Sequence, residues 1–557
     1  MGFTLGRPGI ILLTGAAVLL PFGLIIYQSF LSAPFFAPKV GFSLDAFGYV
    51  LSDPGFWRAF WNSLIIAAAM AAIAVPLGAA LAFLLVRTDL PARGIVEPLI
   101  LVPMLVSPIV LALGYVVAAG PVGFYSVLAK NLIGFIPWKL YSPVTIAVIG
   151  GLTHVPHVYL YISAALKSLG SEVEEAAART AGANPLRVAR DVSLPMVTPA
   201  LLFSGVLVFF AGIEMFGLAL VLGDPDGFQL LSVYLFKLTN RLGSPSYQLM
   251  AAVAVCIIAT TFPLVMLQRR LLKMADKYVA VRGKTARQRL LPLGNWRWIA
   301  FAVVMLWVLV TAFVPISGIG LRAFVTRWGN NVNLFDVLTL EHMFAVFQEP
   351  ALVRGIRNSV LIGVAGGALA VVCYLAIGLA IHRRPDNWSR FVDYLVLVPR
   401  AVLGLLAGLA FLWVFLFFPP LTPLRATLFS VWIAYSVVWL ACGTRLISTS
   451  LLQVSPELEE AARTTGANRA RVIRDITVPL VRYGLLASWL LIFIMFEREY
   501  ATGVYLLTAG TEIIGALLVS LAESGAMDMV AALSVVNVVL VGIGLAIALR
   551  FGVRLYD

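Results

Sequence analysis

Apolar runs long enough to cross a hydrocarbon core, about 20 residues for roughly 30 Å, recur along the whole chain and alternate with short polar stretches. They fall near 9–31, 59–86, 95–119, 141–166, 200–222 and 248–272, and again near 298–321, 357–381, 392–418, 425–447, 484–508 and 527–550. The pattern predicts twelve membrane-spanning helices. The first run, Gly9 to Leu31, is too long for the core of a cleaved signal and reads as a retained first span. Two of the polar stretches are copies of one another: Glu174 to Pro195 (EEAAARTAGANPLRVARDVSLP) and Glu459 to Pro479 (EEAARTTGANRARVIRDITVP), which align without a gap from the glycine to the proline. Further landmarks repeat in the same order. Asn62-Ser63-Leu64 returns as Asn358-Ser359-Val360, and Val102-Pro103 as Val398-Pro399.

The chain therefore divides into a first transmembrane domain, 1–285, carrying the segment 174–195, and a second, 286–557, carrying the segment 459–479. With six spans in each half, both halves start and finish on the same side of the membrane, so the repeats are parallel and related by a pseudo-two-fold along the membrane normal. The fold class expected is an all-α polytopic membrane protein of two six-helix repeats.

Composition agrees with this. Of 557 residues, 61% are hydrophobic and 12% charged, with a mean hydropathy of +0.97, which no soluble globular domain shows. Basic residues orient the chain, because Lys and Arg stay in cytoplasmic loops. With the N-terminus inside, the cytoplasmic segments hold 27 of the 40 basic residues and the outer loops 9, so both termini are expected in the cytoplasm. The densest cluster, Arg269 to Arg297, joins the halves, and with the net charge of +13 it implies anionic lipid headgroups as neighbours and no nucleic acid. Cys256, Cys373 and Cys442 lie in apolar stretches without metal-ligand spacing.

The repeated polar segment starts with acids at the positive end of a helix dipole, breaks at Gly-Ala-Asn, and continues as a second basic helix that re-enters the membrane at Leu194-Pro195 or Val478-Pro479. Small residues flanked by charges on a helix-turn-helix suit the docking of another protein; no nucleophile or metal cluster is present. At these residues the chain resembles the permease subunits of bacterial type I ABC importers, whose signature is Glu-Ala-Ala, three residues, Gly, nine residues, an aliphatic, any residue, Leu-Pro. The second copy supplies Glu460, Ala461, Ala462, Gly466, Ile476 and Pro479; the first supplies Glu175, Ala176, Ala177, Gly182, Val192 and Pro195, with four residues in place of three before the glycine. That extra residue turns a helix by about 100° and leaves open which glutamate of the first copy faces a partner.

The resemblance implies that each segment is a coupling helix seated in one of two copies of an ABC ATPase subunit. It also implies a periplasmic or extracellular substrate-binding protein, and a location in the bacterial inner membrane. The chain itself is expected not to be an enzyme and to hold no cofactor, ATP and Mg residing on the ATPase subunits. Gly283-Lys284-Thr285 resembles the end of a phosphate-binding loop, but Tyr278 stands where its first glycine is required.

Ionisable residues within spans are costly there and mark pathways. Glu214, midway along the predicted fifth span, and Glu497, Arg498 and Glu499, midway along the eleventh, are candidates for a translocation pathway, with a structural Glu–Arg pairing as the alternative. His154 and His157 share a helix face interrupted by Pro156, and suit hydrogen bonding more than metal binding; whether any metal is bound is unknown. The pairs Gly363/Gly367 and Gly404/Gly408 suggest close helix packing. Fusion of both halves in one chain, the run LQRRLLKMADKYVAVRGK, and Arg498-Glu499 followed by Gly510-Thr511-Glu512 resemble the ferric iron permease group. Ferric iron is the expected substrate, since Glu214, Glu497, Glu499 and Tyr500 offer the oxygen ligands a hard trivalent cation wants, whereas an anion would find only Arg400 and Arg498. Thiamine, aminoethylphosphonate and other phosphonates or polyamines are alternatives within the same importer class, and a proton-coupled secondary transporter of the facilitator type is the alternative class.

Overall fold

The structure, a computed structural model, describes residues 6–168, 194–240, 246–276, 292–327, 332–383, 386–402 and 404–550, together with Thr180, Gly182, Arg187, Arg190, Asp191 and Leu290. Among these the ordered elements are helices, apart from two isolated antiparallel bridges, Leu31 with Phe42 and Val325 with Leu338. Among the described residues ten helices are long and apolar enough to cross a bilayer, or twelve if each of two bent pairs forms one span.

The first half contains α1 (Arg7–Ser29), α2 (Asp45–Ser52), α3 (Pro54–Arg87), α4 (Arg93–Leu105), α5 (Pro108–Ala119), α6 (Phe124–Ile133), α7 (Pro143–Ser168), α8 (Leu194–Glu214), α9 (Gly217–Gly223), α10 (Leu231–Asn240) and α11 (Tyr247–Asp276). The second contains α12 (Trp296–Phe324), α13 (Glu341–Gln348), α14 (Pro350–Ile381), α15 (Asn387–Leu395), α16 (Gly404–Phe417), α17 (Leu428–Val438), α18 (Leu440–Leu452), α19 (Pro456–Thr464), α20 (Val478–Arg498), α21 (Ile514–Glu523) and α22 (Met527–Arg550).

The repeat extends to the start of each half. A long helix (α1, α12) ends in one of the bridges, a short helix follows (α2, α13), and the next long helix opens on a proline, Pro54 or Pro350. Proline at the first turn sacrifices only an N–H that has no intrahelical acceptor, and it fixes the start of the helix. The side chain of Asp53 accepts from the Gly55 N–H at 2.8 Å and completes the cap in the first copy.

Where the sequence predicts unbroken spans, several are divided. The span over 95–119 breaks between Leu105 and Pro108, and that over 392–418 breaks around the turn Val398–Ala401. In the second half the Val398-Pro399 landmark sits in the break itself, whereas in the first Val102-Pro103 lies within α4 and the break falls just before Pro108, which crowds the turn preceding it. The span over 200–222 stops at Glu214 and resumes at Gly217, and the eleventh ends at Arg498, short of 508.

Two compact units emerge, and they cut the chain differently from the consecutive halves 1–285 and 286–557. One comprises Leu51–Arg241 with Ala259–Leu340; the other comprises Met1–Val50 and Leu242–Ile258 with Glu341–Asp557. The opening helix of each half thus belongs to the unit built mainly from the other half.

In the unit of α3 to α10, the long α3 packs along α7 and α8, and α12 lies against α5. Glycines permit that approach: a Cβ on Gly114 would stand 2.5 Å from the Pro315 carbonyl oxygen, and one on Gly318 would stand 2.6 Å from Ala118 Cβ. Tyr115 Oη donates to the Val310 carbonyl at 2.9 Å, inside a π turn, Leu309–Phe313, of α12.

In the other unit α1 packs against α14, α15 and α16. Its first residue, Arg7, donates both terminal nitrogens to Asp386 at 2.5 and 2.6 Å and Nε to the Ala380 carbonyl at 3.0 Å, while Asp386 also caps α15 by accepting from the Ser389 N–H. The Arg7 guanidinium and the Ser389 donors hold the Asp386 carboxyl well below the usual carboxylate range. A carboxylate depressed in the folded state contributes its stabilisation above its unfolded value, near 3.9, and loses it only as pH falls through the folded value. Lowering the pH from 7 to 5 is therefore expected to leave this pin intact, whereas Arg7→Ala lowers the thermal unfolding midpoint in detergent by a few degrees at both pH values; fluorescence-monitored melts check both expectations.

Candidate functional site

The signature segment of the second half is held in a defined turn. Helix α19 ends at Gly466, whose φ of +85° is the left-handed conformation that glycine adopts without strain. The Gly466 N–H donates to the Arg463 carbonyl at 3.0 Å and the Ala467 N–H to the Ala462 carbonyl at 3.1 Å, the paired closure of a Schellman motif. Asn468 then caps the next turn, its side chain accepting from the Arg471 N–H at 2.9 Å. A π turn, Ile473–Thr477, leads into α20 at Val478-Pro479. Glu460, Ala461, Gly466 and Pro479 are exposed and Ala462 half-buried. Leu452 and Leu458, 73% and 48% exposed, add apolar surface to the same stretch.

Beneath that exposed face lies Glu459, 4% exposed, which the signature does not single out. Its carboxylate is 2.9 Å from Arg383 Nη1, 3.6 Å from His382 Nε2 and 3.7 Å from Arg463 Nη2, and it accepts from Thr477 Oγ1 at 3.2 Å. Arg383 also donates to the Val454 carbonyl, and Arg469 to the Leu379 carbonyl at 2.9 Å. Glu459 thus ties α19 to the end of α14 and to the start of α20 around a cavity of about 440 Å³. Burial pushes the His382 imidazole below its ordinary value against the opposing pull of Glu459, so the ring is neutral at pH 7.

In the first copy, Gly182 has φ of +84°, matching Gly466 to a degree. Arg187 and Asp191 pair at 3.8 Å one helical turn apart, and Pro195 is exposed. Glu174, Glu175, Ala176 and Ala177 lie outside the described residues, as do Gly283, Lys284 and Thr285. Arg87, the repeat counterpart of Arg383, donates to the Leu166 carbonyl of α7 at 2.8 Å, while Arg383 donates to Val454 in the turn between α18 and α19, so in both copies this arginine holds the chain just ahead of the signature segment.

The pathway candidates occupy helix ends. Glu214 closes α8 and Arg498 closes α20, in matching register, each the last residue of a helix of 21. At 1.5 Å per residue that is about 30 Å of helix, so these charges lie far from the signature segments, where the sequence predicts them midway. Glu497 and Glu499 face different surroundings. Glu497 is 3% exposed, neither carboxylate oxygen has a hydrogen-bond partner among the described residues, and a Cβ on Gly363 would stand 2.7 Å from Oε1. Glu499 Oε1 instead accepts from the Thr502 N–H and Oγ1, both at 3.0 Å, and holds the turn after α20.

Among the described residues no three or more His, Cys, Asp or Glu side chains gather as a metal site, so the oxygen donors Glu497 and Glu499 do not form a chelating set. Glu499→Ala is expected to cost about 1.5–3 kcal/mol through the loss of charged hydrogen bonds, seen as a lower unfolding midpoint. Glu499→Gln keeps an acceptor for Thr502 and retains the fold, so its effect on uptake reads any pathway role separately.

The His154 ring donates to the Gly150 carbonyl at 2.7 Å and stacks on His157 with centroids 5.3 Å apart. Of the glycines expected at helix contacts, Gly363 lies close against Glu497 and Phe493 of α20 and Gly367 has ordinary contacts, whereas Gly404 and Gly408 lie against the turn after α20 at Glu499 and Thr502. At the end of α14 remote from Glu459, Arg354 pairs with Glu512 at 2.8 Å. Both Glu459 and this pair were missed by motif reading. The signal available for the second was an arginine four residues before each repeated Asn-Ser.

Two matched sets of helices, with a left-handed glycine at the same place in each signature segment, define a duplicated helical membrane protein. The chain belongs to the family described as binding-protein-dependent transport system inner membrane component, whose model matches it twice, over residues 74–273 and 366–556. It is similar to the ferric transport system permease protein FbpB of Actinobacillus pleuropneumoniae, 24% identical over 93% of this chain and 73% of that one. The putative ferric transport system permease protein FbpB 1 of Haemophilus influenzae is 23% identical over 90% of this chain and 78% of its own length. The molybdenum transport system permease protein ModB of Escherichia coli is 25% identical over 39% of this chain and 93% of its own. Among solved structures, a bacterial ABC transporter involved in the import of the acidic polysaccharide alginate aligns with TM-score 0.36 and 18% identity, over 47% of this chain and 96% of that one.

Proposed function

We propose that the chain forms the translocation pathway of an importer for ferric iron. In this reading both signature segments lie in the cytoplasm, each seated in one of two ATPase subunits that hydrolyse ATP, and both termini are cytoplasmic. The observation that carries the coupling role is the construction of α19: an exposed face of small residues, acids and leucines, set by a left-handed glycine and tied by Glu459 to α14 and α20. A force applied to that face reaches two spans through buried contacts. The recurrence of the same φ at Gly182 supports an equivalent seat in the first half.

Ferric iron as cargo is supported by the two FbpB relatives, which cover most of this chain. The absence of a chelating cluster among the described residues is compatible with a metal that passes through and is selected by the external binding protein. The test is ATPase activity of the permease–ATPase complex in lipid, with its binding protein loaded in turn with ferric iron, thiamine, a phosphonate and a polyamine. Stimulation by the ferric form alone is the expected result; stimulation by another loaded form reassigns the cargo, and no stimulation by any form overturns the ferric-importer reading.

A further inference from the structure

The two repeats carry the same polar clasp at the end of the long helix remote from the signature segment, and they differ in one charge. In the second copy Asn358 Nδ2 donates to the Glu512 carbonyl at 2.9 Å and the Ile514 N–H donates to Ser359 Oγ at 2.9 Å. In the first, Asn62 Nδ2 donates to the Gln229 carbonyl at 3.1 Å and the Leu231 N–H to Ser63 Oγ at 2.8 Å. The backbone register is therefore identical: Arg58 corresponds to Arg354, and Gln229 to Glu512. In the second copy the site is closed, since Glu512, 7% exposed, accepts from Arg354 Nη2 at 2.8 Å and Nε at 3.2 Å. In the first, the position of the carboxylate is occupied by an amide. Arg58 is exposed and forms no ion pair within 4 Å among the described residues; its charge acts at longer range on the Asp53 carboxyl, which, against the effect of burial, it helps to lower. It lines a polar cavity of about 460 Å³ with Asn62, Asp226 and Gln229.

The acids nearby are committed. Asp226 pairs with Lys139 at 3.3 Å, and Asp53 accepts from Tyr234 Oη and the Gly55 N–H. The end of the molecule is fixed as well. Arg87, at the other end of α3, clasps the helix that leads into the signature segment, and the 34 residues of α3 separate the two ends by about 50 Å.

We propose that Arg58 and its cavity receive a carboxylate from outside the chain, an Asp or Glu side chain on the surface of the external substrate-binding protein, in the place that Glu512 fills internally in the second copy. This rests on the importer reading, which puts this end of α3 outside the cytoplasm. A protein supplies the carboxylate because a single exposed guanidinium gains under about 1 kcal/mol from an ion pair, too little to retain a free anion but sufficient as one steering contact within a larger interface. The docking footprint is thereby asymmetric, open on the first half and closed on the second.

The test titrates ferric-loaded binding protein against the ATPase activity of the complete permease–ATPase complex in lipid. Arg58→Gln removes the receptor. Gln229→Glu builds the ion pair of the second copy and occupies Arg58 without deleting any contact. Each is expected to raise the half-maximal concentration about fivefold, with the saturating rate unchanged and with a weaker dependence on salt, as loss of a steering charge requires. Lys130→Gln, which removes a charge elsewhere on the same half, is expected to leave the half-point unchanged.

Unaltered half-points in both Arg58→Gln and Gln229→Glu overturn the proposal, as does an equal shift in Lys130→Gln. A fall in saturating rate at an unchanged half-point also overturns it and moves Arg58 to the passing substrate. A wild-type complex that ferric-loaded binding protein does not stimulate overturns the ferric-importer reading and this inference together; a stimulated wild type with unaltered variants overturns this inference alone.

Discussion

Gly466→Val is expected to reduce uptake roughly tenfold or more while the protein still inserts and folds. The left-handed conformation costs an L-residue roughly 1–2 kcal/mol, more for a β-branched side chain, and about 1.4 kcal/mol is a tenfold change in population. The space around Gly466 is empty within 4 Å of an added Cβ, so the penalty comes from the backbone φ of +85° and owes nothing to crowding. The turn is then released from its Schellman closure, and the Glu460 to Ala462 face would no longer meet the proposed ATPase partner at a fixed angle. Gly466→Asn is the matched control, because asparagine tolerates this region better than other residues and should retain much of the activity. The measurement is binding-protein-stimulated ATPase and uptake in proteoliposomes, beside a thermal melt. Equal activity in the valine and asparagine variants would remove the turn from the mechanism.

The second large effect is expected at Glu459. Removing one member of a buried ion pair typically costs roughly 3–5 kcal/mol, because the remaining charge is left without compensation. Glu459→Ala belongs at the lower end of that range, since Arg463 is half exposed and the cluster borders a cavity. The variant should melt lower and lose stimulated ATPase, whereas Glu459→Gln keeps an acceptor for Thr477 and should melt between the two. Pairing Glu459→Met with Arg383→Met replaces both charges by apolar groups, and on the general behaviour of such pairs it should recover stability. Recovery of the melt without recovery of coupling would show that the charged tie, beyond its contribution to folding, carries the motion from α19 to α14 and α20.

His382 adds a pH dependence of determined sign. Its folded value lies below the ordinary imidazole value of about 6.5, so the unfolded state binds more protons in that window and stability falls as pH drops below it.

Much of this architecture is legible in the chain. Apolar runs of about 20 residues fix where spans can lie, and the matched Glu-Ala-Ala segments, Asn-Ser and Val-Pro pairs, and even span number show a parallel duplication. The turn at Gly466 follows from a glycine closing a short acidic helix, and Gly182 takes the same backbone φ at the matching position. Other features could not be read. The opening helices α1 and α12 are apolar on nearly all sides, so their sequences mark them as membrane spans without naming a neighbour. Arg7 with Asp386 and Gly318 against Ala118 are contacts between residues hundreds of positions apart. Periodicity likewise does not distinguish Glu459 from Glu460. Adjacent positions on a helix point about 100° apart, and the structure alone shows the first turned inward to Arg383 and the second outward.

The same holds for Glu497 and Glu499, neighbours in sequence that meet different surroundings because α20 ends between them. The sequence by itself thus determines a duplicated membrane permease with two solvent-facing signature turns, since hydropathy and turn chemistry are local properties. The tertiary structure alone decides which helix each apolar face covers, which glutamate bears the buried charge, and that one clasp is closed by Glu512 while its twin at Arg58 stands open, because each depends on contacts between residues far apart in the chain.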